Sequence, residues 1–419
     1  MSARTRDEVV VHVDAADWDE AGAAGWLRRA GFGRSADLSF EYAQPWLDAA
    51  DRPSLEPSIN LISGEQRRSG GGLFGIFTDA APDHWGRRLL ERREVHLAKR
   101  EGRTPRNLDE WDFLVGVNDA TRMGALRFAR AADGTFLDDR PFAVPPKTSL
   151  RELEAAARRL EVGGAASADE LDRWLEMLIA PGASLGGARP KASFQDAKGV
   201  LWIAKFPADN DRRDVGAWEY VLTQLAARAG IVVPETDLLA LGSGYRTFAA
   251  RRFDRAAACR RMFASAMTLL DEHDHAAGVS YLDIATAIEQ YGGPSRAAID
   301  ADLEQLYRRV VFNALAGHRD DHLRNHGFLH DGAGWRLAPA FDLNPIPDKA
   351  EHELSFDGRS TLPDRASIEG TARFYRLSAA QAAQLIAEVK GAVAAWREVA
   401  TAAEIPRDEK DLMAVAFQV

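Results

Sequence analysis

The stretch Gly317-His318-Arg319-Asp320-Asp321-His322-Leu323-Arg324-Asn325 has the pattern H-R-D-x-x-x-x-N, and Asp342 follows 17 residues after the Asn. That is the layout of a phosphoryl-transfer loop. Asp320 would accept the proton of an attacking hydroxyl, and Asn325 and Asp342 would hold Mg²⁺ against the phosphates of ATP. His322 creates a second spacing, D-x-H-x-x-N, which small-molecule phosphotransferases also use; it reads as an organiser of the loop, with direct chemistry as the alternative. Asp321 reads as a solvated neighbour, because the spacing to Asn325 selects Asp320.

These residues need elements to hold them. Residues 326–330 predict a strand, 331–334 a turn and 335–338 a return strand, a hairpin that can carry Asp342 back towards Asn325. Upstream, the glycines at 182, 186 and 187 sit in a loop where backbone N–H groups could approach phosphate oxygens. The loop is neither a Walker A nor a G-x-G-x-x-G motif, and taken alone it is equally an ordinary turn. Lys205 ends the apolar run Leu-Trp-Ile-Ala-Lys, as a phosphate-binding Lys ends its strand in kinases; the alternative is an edge Lys reaching solvent. Glu219 lies 14 residues on in a predicted helix, 215–229, where it could pair with Lys205 or be an ordinary solvated Glu. Each part is weak by itself. Their order along the chain is the order a kinase cleft requires.

Further strands are expected at 8–13, 37–42, 124–129, 192–194, 201–206, 236–241 and 246–251. Helices are expected from 79–83 to about 99, and at 149–162, 167–180, 281–291, 298–316 and 378–402. The first of these carries Arg87, Arg88, Arg92, Arg93, Lys99 and Arg100 with Glu91 and Glu94 interleaved, and reads as a solvated or partner-facing surface. The fold class that results is α+β and two-lobed, a β-rich lobe followed by a helical one. Three regions are expected: 1–145, an N-terminal subdomain; 146–254, the lobe with the phosphate loop and Lys205; and 255–419, the helical lobe with the catalytic loop.

The composition fits an enzyme of that kind. The chain has 419 residues, 46% of them hydrophobic and 28% charged, too many for one ordinary core. Net charge is −10, the reverse of the balance expected of a direct nucleic-acid binder. Cys259 is the one cysteine, so disulfides and cysteine metal sites are excluded. His273-Asp274-His275 could bind a metal but reads as a surface loop. No apolar run is long enough to span a membrane and the N-terminus does not look like a secretory signal, so the expected compartment is the cytoplasm.

Longer stretches carry a family likeness. Phe77 to Leu90, Met123 to Phe128, Ser184 to Lys191, Arg252 to Arg255, the 317–325 loop and Pro339 to Leu343 together resemble the HipA family of serine/threonine-protein kinases, toxins of toxin–antitoxin pairs. The resemblance implies a two-lobed protein-kinase-like fold with an extra N-terminal subdomain. It implies Asp320 as base, Asn325 and Asp342 as Mg²⁺ ligands, and Lys205 on the ATP phosphates under a cover of Gly186, Gly187, Ala188, Arg189 and Lys191. Arg251, Arg252 and Phe253 would form the hinge at adenine. Ser184 matches a loop serine that family members autophosphorylate. A helix-turn-helix antitoxin, HipB-like, would be the partner and the link to DNA. The target would be a protein such as an aminoacyl-tRNA synthetase. The chain departs from the family at Gly317-His318-Arg319-Asp320, where Gly-Asn-x-Asp is common, and at Arg251, where Glu is frequent. Two other functions stay open: a small-molecule phosphotransferase, and an antitoxin-bound co-repressor without kinase activity.

Overall fold

The structure is a computed structural model. It describes residues 6–15, 22–33, 36–130, 135–139, 144–163, 167–179, 187–242, 244–256, 259–273 and 278–419. The chain packs as two units, one formed by 1–209 with 254–264, the other by 210–253 with 265–419. The boundary expected near 145 falls inside the first.

In the first unit, four antiparallel strands stand in the order Asp37–Tyr42, Ala23–Ala30, Arg6–Val13, Leu126–Ala129. Val9, Val10, Val11, Leu27, Phe40 and Phe128 are buried among them, so the middle of the sheet is covered on both faces. Ala23–Ala30 is a strand that sequence reading left out, as are the short ones at Arg255–Ala256, Cys259–Arg260 and Phe263–Ser265; two arginines and a Gly blur the alternation of Ala23–Ala30. The helix His84–Arg100 starts later than expected. Asp83 is its N-cap and accepts a hydrogen bond from Gly86 N at 2.9 Å, so Pro82 lies before the helix and not in its first turn. Its basic face is largely engaged within the unit. Arg87 makes a two-pronged pair with Glu110, Arg92 caps the Leu160 carbonyl, and Arg100 meets Asp172. Arg88, Glu91, Lys99 and Arg100 nonetheless stay exposed, in line with a solvated surface. Helices Leu150–Val162 and Ala168–Ile179 and the strand pair Lys191–Gln195 and Leu201–Lys205 complete the unit.

The second unit opens with helix Val215–Arg228, capped by Asp214, and the strand pair Thr236–Leu239 and Thr247–Arg251. Helices Tyr281–Tyr291, Arg296–Ala316, Ala379–Ala394 and Trp396–Ala402 follow. Rings of Trp396 and Phe417 stack at 4.4 Å and 2°, with Trp218 alongside, so the chain end is fastened into this core. The expected hairpin is present as Gly327–His330 paired with Trp335–Leu337. Its turn is held by Asp331, whose side chain accepts from Ala333 N and Gly334 N. No described helix is long and apolar enough to cross a membrane.

Gly317 ends the helix Arg296–Ala316 in the left-handed region, φ +67°, the usual way to stop a helix. A Cβ there would lie 2.3 Å from the Ala416 carbonyl oxygen. Gly317→Ala therefore combines a left-handed backbone penalty with a backbone clash. We expect a loss of about 2–4 kcal/mol in urea unfolding, with no loss expected for Gly163→Ala beyond the left-handed backbone penalty of about 1–2 kcal/mol, because nothing lies near its Cβ.

Candidate active site

The 318–325 loop leaves Gly317 and turns two adjacent aspartates in opposite directions. Asp320 is exposed. Among the described residues its carboxylate takes no hydrogen bond, which leaves it able to receive a proton. Asp321 is buried and receives three: from Tyr281 Oη at 2.8 Å, Asn313 Nδ2 at 2.7 Å and His326 Nε2 at 2.8 Å. His318 Nε2 stands 3.6 Å from its other oxygen, a charge contact rather than a hydrogen bond. Asp321 is thus the anchor of the loop, and its reading as a solvated neighbour is corrected. Burial alone would raise the Asp321 carboxyl, but His326 and His318 hold it well below the usual carboxylate range. Burial would lower His318 as well; the neighbouring Asp321 outweighs it and the net shift is upward.

Asn325 closes the loop. Its Nδ2 donates to the Asp320 carbonyl at 3.1 Å, which fixes the amide and points Oδ1 elsewhere. That Oδ1 is buried and has no hydrogen-bond partner among the described residues. Asp342 sits in the left-handed region, φ +59°, an uncommon backbone for a residue with a Cβ and one that clusters at functional sites. Its segment is laced to the loop. Asn344 Nδ2 donates to Asp342 Oδ1 at 3.4 Å, His318 Nδ1 meets the Asn344 carbonyl at 3.0 Å, and Ile346 N donates to the Gly317 carbonyl at 2.9 Å. His322 is half-buried and precedes the short 3-10 turn Leu323–Asn325, a placement that suits an organiser of the loop.

An orphaned amide oxygen and a carboxylate are an appropriate donor set for Mg²⁺, which takes one or two protein oxygens and completes its shell with phosphates and water. No cluster of three or more His, Cys, Asp or Glu suited to a metal occurs among the described residues, so an all-protein cage is not what this site offers.

The hinge candidates lie in the same unit. The Phe253 ring packs against Phe341, the neighbour of Asp342, at 5.4 Å and 33°. Arg252 is buried. Arg251 is exposed, its N–H donating to the Glu235 carbonyl at 2.8 Å. Glu219 is 2% exposed on helix Val215–Arg228, which removes the solvated-Glu alternative.

In the first unit Lys191 and Lys205 stand directly opposite in antiparallel strands, so their side chains share a face. Lys205 is 8% exposed, not an edge Lys in solvent. Lys191 Nζ is buried on Asp83 Oδ2 at 2.5 Å and also reaches the Gly187 carbonyl at 3.1 Å. Burial pushes Asp83 up despite that pairing. Lys191 therefore braces the end of the Gly-rich loop against helix His84–Arg100. Gly187 is left-handed, φ +58°, Ala188 is exposed, and Arg189 Nη2 caps the Phe206 carbonyl at 3.3 Å. Ser184 and Gly186 lie outside the described residues.

Sequence reading missed the anchor of the loop: Tyr281, Asn313 and Asp321, with His326. A signal was present in Asn313, a polar residue among Val310, Val311, Phe312 and Ala314 on a helix that is buried around most of its circumference.

A unit of mixed strands and helices with paired lysines, and a helical unit presenting Asp320, Asn325 and Asp342, define an α+β protein of the two-lobed, kinase-like class. Comparison with known proteins narrows this. Residues 18–129 match the family model of the HipA N-terminal domain, and residues 183–396, just over half of the chain, that of the HipA-like C-terminal domain. The chain belongs to the HipA family. Among solved structures it is similar to a chain of the Shewanella oneidensis MR-1 toxin–antitoxin complex of HipA, HipB and operator DNA. Identity there is 17%, with 97% of this chain and 94% of that chain covered and a TM-score of 0.64. A Helicobacter pylori proinflammatory kinase, CtkA, shares 16% identity over 55% of this chain and 91% of its own, with a TM-score of 0.38, too low to bear on function. No curated protein matches the chain.

Proposed function

We propose that this chain is an ATP- and Mg²⁺-dependent protein serine/threonine kinase of HipA type. The observation that carries the proposal is the division of labour between Asp320, free at the surface, and Asn325, whose buried oxygen has no protein partner. The hydroxyl oxygen of the substrate attacks the γ-phosphorus while its proton passes to Asp320. The bond from that phosphorus to the β–γ bridging oxygen breaks, and ADP leaves with the bonding pair. Asn325 and Asp342 would hold the Mg²⁺, which offsets phosphate charge when bound. Lys205, which ends its strand as a phosphate-binding Lys does in kinases, would lie on the phosphates. Arg251 to Phe253 would border adenine.

Ser184 is the proposed autophosphorylation position. Adding about −2 charge to the Gly-rich loop there would repel it from bound nucleotide and switch the kinase off. A HipB-like helix-turn-helix antitoxin is the proposed partner, a reading supported by the Shewanella complex. Contact with DNA would run through it, in keeping with the acidic balance of this chain. The proposed target is a protein of translation, such as an aminoacyl-tRNA synthetase, in the cytoplasm.

The test is incubation with γ-labelled ATP and Mg²⁺, alone and with cell lysate. Label is expected in protein, including this chain, with the self-label lost in Ser184→Ala. Label confined to small metabolites would replace the proposal by a small-molecule phosphotransferase. Lys205→Met removes one charge-assisted contact of about 1.5–3 kcal/mol. It is expected to raise the KM for ATP about 10- to 100-fold.

A further inference from the structure

Behind the loop the second unit encloses a small cavity, with room for roughly one water molecule. Arg309, Asn313, Asp321, Asn325 and His326 are among its lining residues. Five polar atoms on four of them have no hydrogen-bond partner among the described residues: Nε and Nη1 of Arg309, Oδ1 of Asn313, Oδ1 of Asn325 and Nδ1 of His326. The side chains concerned are all buried, Arg309 at 3% exposure. Orphans are rare in folded proteins, and several around one cavity mark a missing common partner. The remaining Arg309 nitrogen, Nη2, caps the Ala338 carbonyl. Burial draws Arg309 down to about 10, partly countered by Asp321 and Asp302, so it remains a cation at neutral pH.

We propose that the cavity holds one ordered water and that, through it, Arg309 is a positioning residue for Asn325. This rests on the kinase reading, because it assigns Asn325 to the metal. One water can serve four of the five atoms. A water accepts twice and donates twice. Its lone pairs take the Nε and Nη1 hydrogens of Arg309, and its hydrogens go to Oδ1 of Asn313 and Oδ1 of Asn325. His326 Nδ1 is the atom left over. An amide oxygen has two lone pairs. The water occupies one on Asn325, the Asp320 carbonyl holds the Nδ2 end, and the second lone pair faces the cation with the amide unable to rotate. Partners of this kind, one step removed from a metal, typically alter affinity about 10- to 100-fold when replaced.

Arg309→Lys keeps the charge and loses the two-pronged donor; Arg309→Gln loses the charge and keeps an amide donor. The measurement is Mn²⁺ binding to the full chain with a non-hydrolysable ATP analogue, followed by electron paramagnetic resonance, with melting temperature recorded beside it. Weakening of about tenfold in both variants, at melting temperatures near that of the wild type, is expected. A role confined to structure would move the melting temperature and leave Mn²⁺ affinity alone, and that result overturns the proposal. So does unchanged affinity in whichever variant folds. Failure of the wild type itself to bind Mn²⁺ and nucleotide would instead remove the kinase reading on which the proposal stands.

Discussion

Asp321→Ala is expected to lower the free energy of unfolding by about 3–5 kcal/mol, the usual effect of removing one partner from a buried charged network. For a protein of ordinary stability, about 5–15 kcal/mol, that is a large share. The physical reason is what remains behind: Tyr281 Oη, Asn313 Nδ2 and His326 Nε2 lose their shared acceptor inside the core, and His318 loses its counter-charge. Urea unfolding at neutral pH measures it. The pH dependence carries a signature too. Asp321 has a depressed folded pKa, so its contribution is present above the unfolded value of about 3.9 and disappears as pH falls through the folded one. His318 is raised, so its contribution is complete below about 6.5 and disappears as pH rises through its folded pKa. Wild-type stability should decline from this pair on both sides of that interval. In Asp321→Ala the alkaline decline due to His318 should vanish; its persistence would show that His318 is raised by something else.

One residue earlier the expectation reverses. Asp320→Asn should leave urea unfolding within about 0.5 kcal/mol of wild type, as for an exposed residue without partners. It should reduce phosphoryl transfer about 10²- to 10⁴-fold, the usual contribution of a positioned general base. ATP affinity should stay close to wild type, because Asp320 is assigned to the hydroxyl and not to the phosphates. Two aspartates adjacent in sequence thus separate folding from chemistry, and neither variant can mimic the other.

Much of this was legible in the chain. Spacing alone pointed to Asp320, Asn325 and Asp342 as candidates and gave the 327–337 hairpin, because a loop between a helix end and a tight hairpin has few ways to run. Helix and strand positions followed from apolar periodicity, with errors where local chemistry intervened, as at Pro82 and Asp83, where the capping aspartate and not the proline sets the start of the helix. The spacing to Asn325 favoured Asp320 over Asp321 as the candidate base. What counting could not supply was the fate of the other aspartate, since burial of Asp321 depends on Tyr281 and Asn313 reaching it from two separate helices. Lys191 is a parallel case. Its neighbours in sequence suggest phosphate, whereas its partner, Asp83, lies 108 residues away. Long-range charge pairing leaves no local trace. The family likeness, by contrast, rested on stretches at both ends of the chain and agrees with the matches at 18–129 and 183–396.

The central claim is that Asp320 serves as the base of a phosphoryl-transfer site. Single-turnover transfer from γ-labelled ATP, with Mg²⁺ and ATP saturating, tests it in wild type and Asp320→Asn side by side. Protein-bound label is expected in the wild type and a rate at least about 100-fold lower in the variant, at equal ATP occupancy. Transfer by Asp320→Asn at the wild-type rate would contradict it.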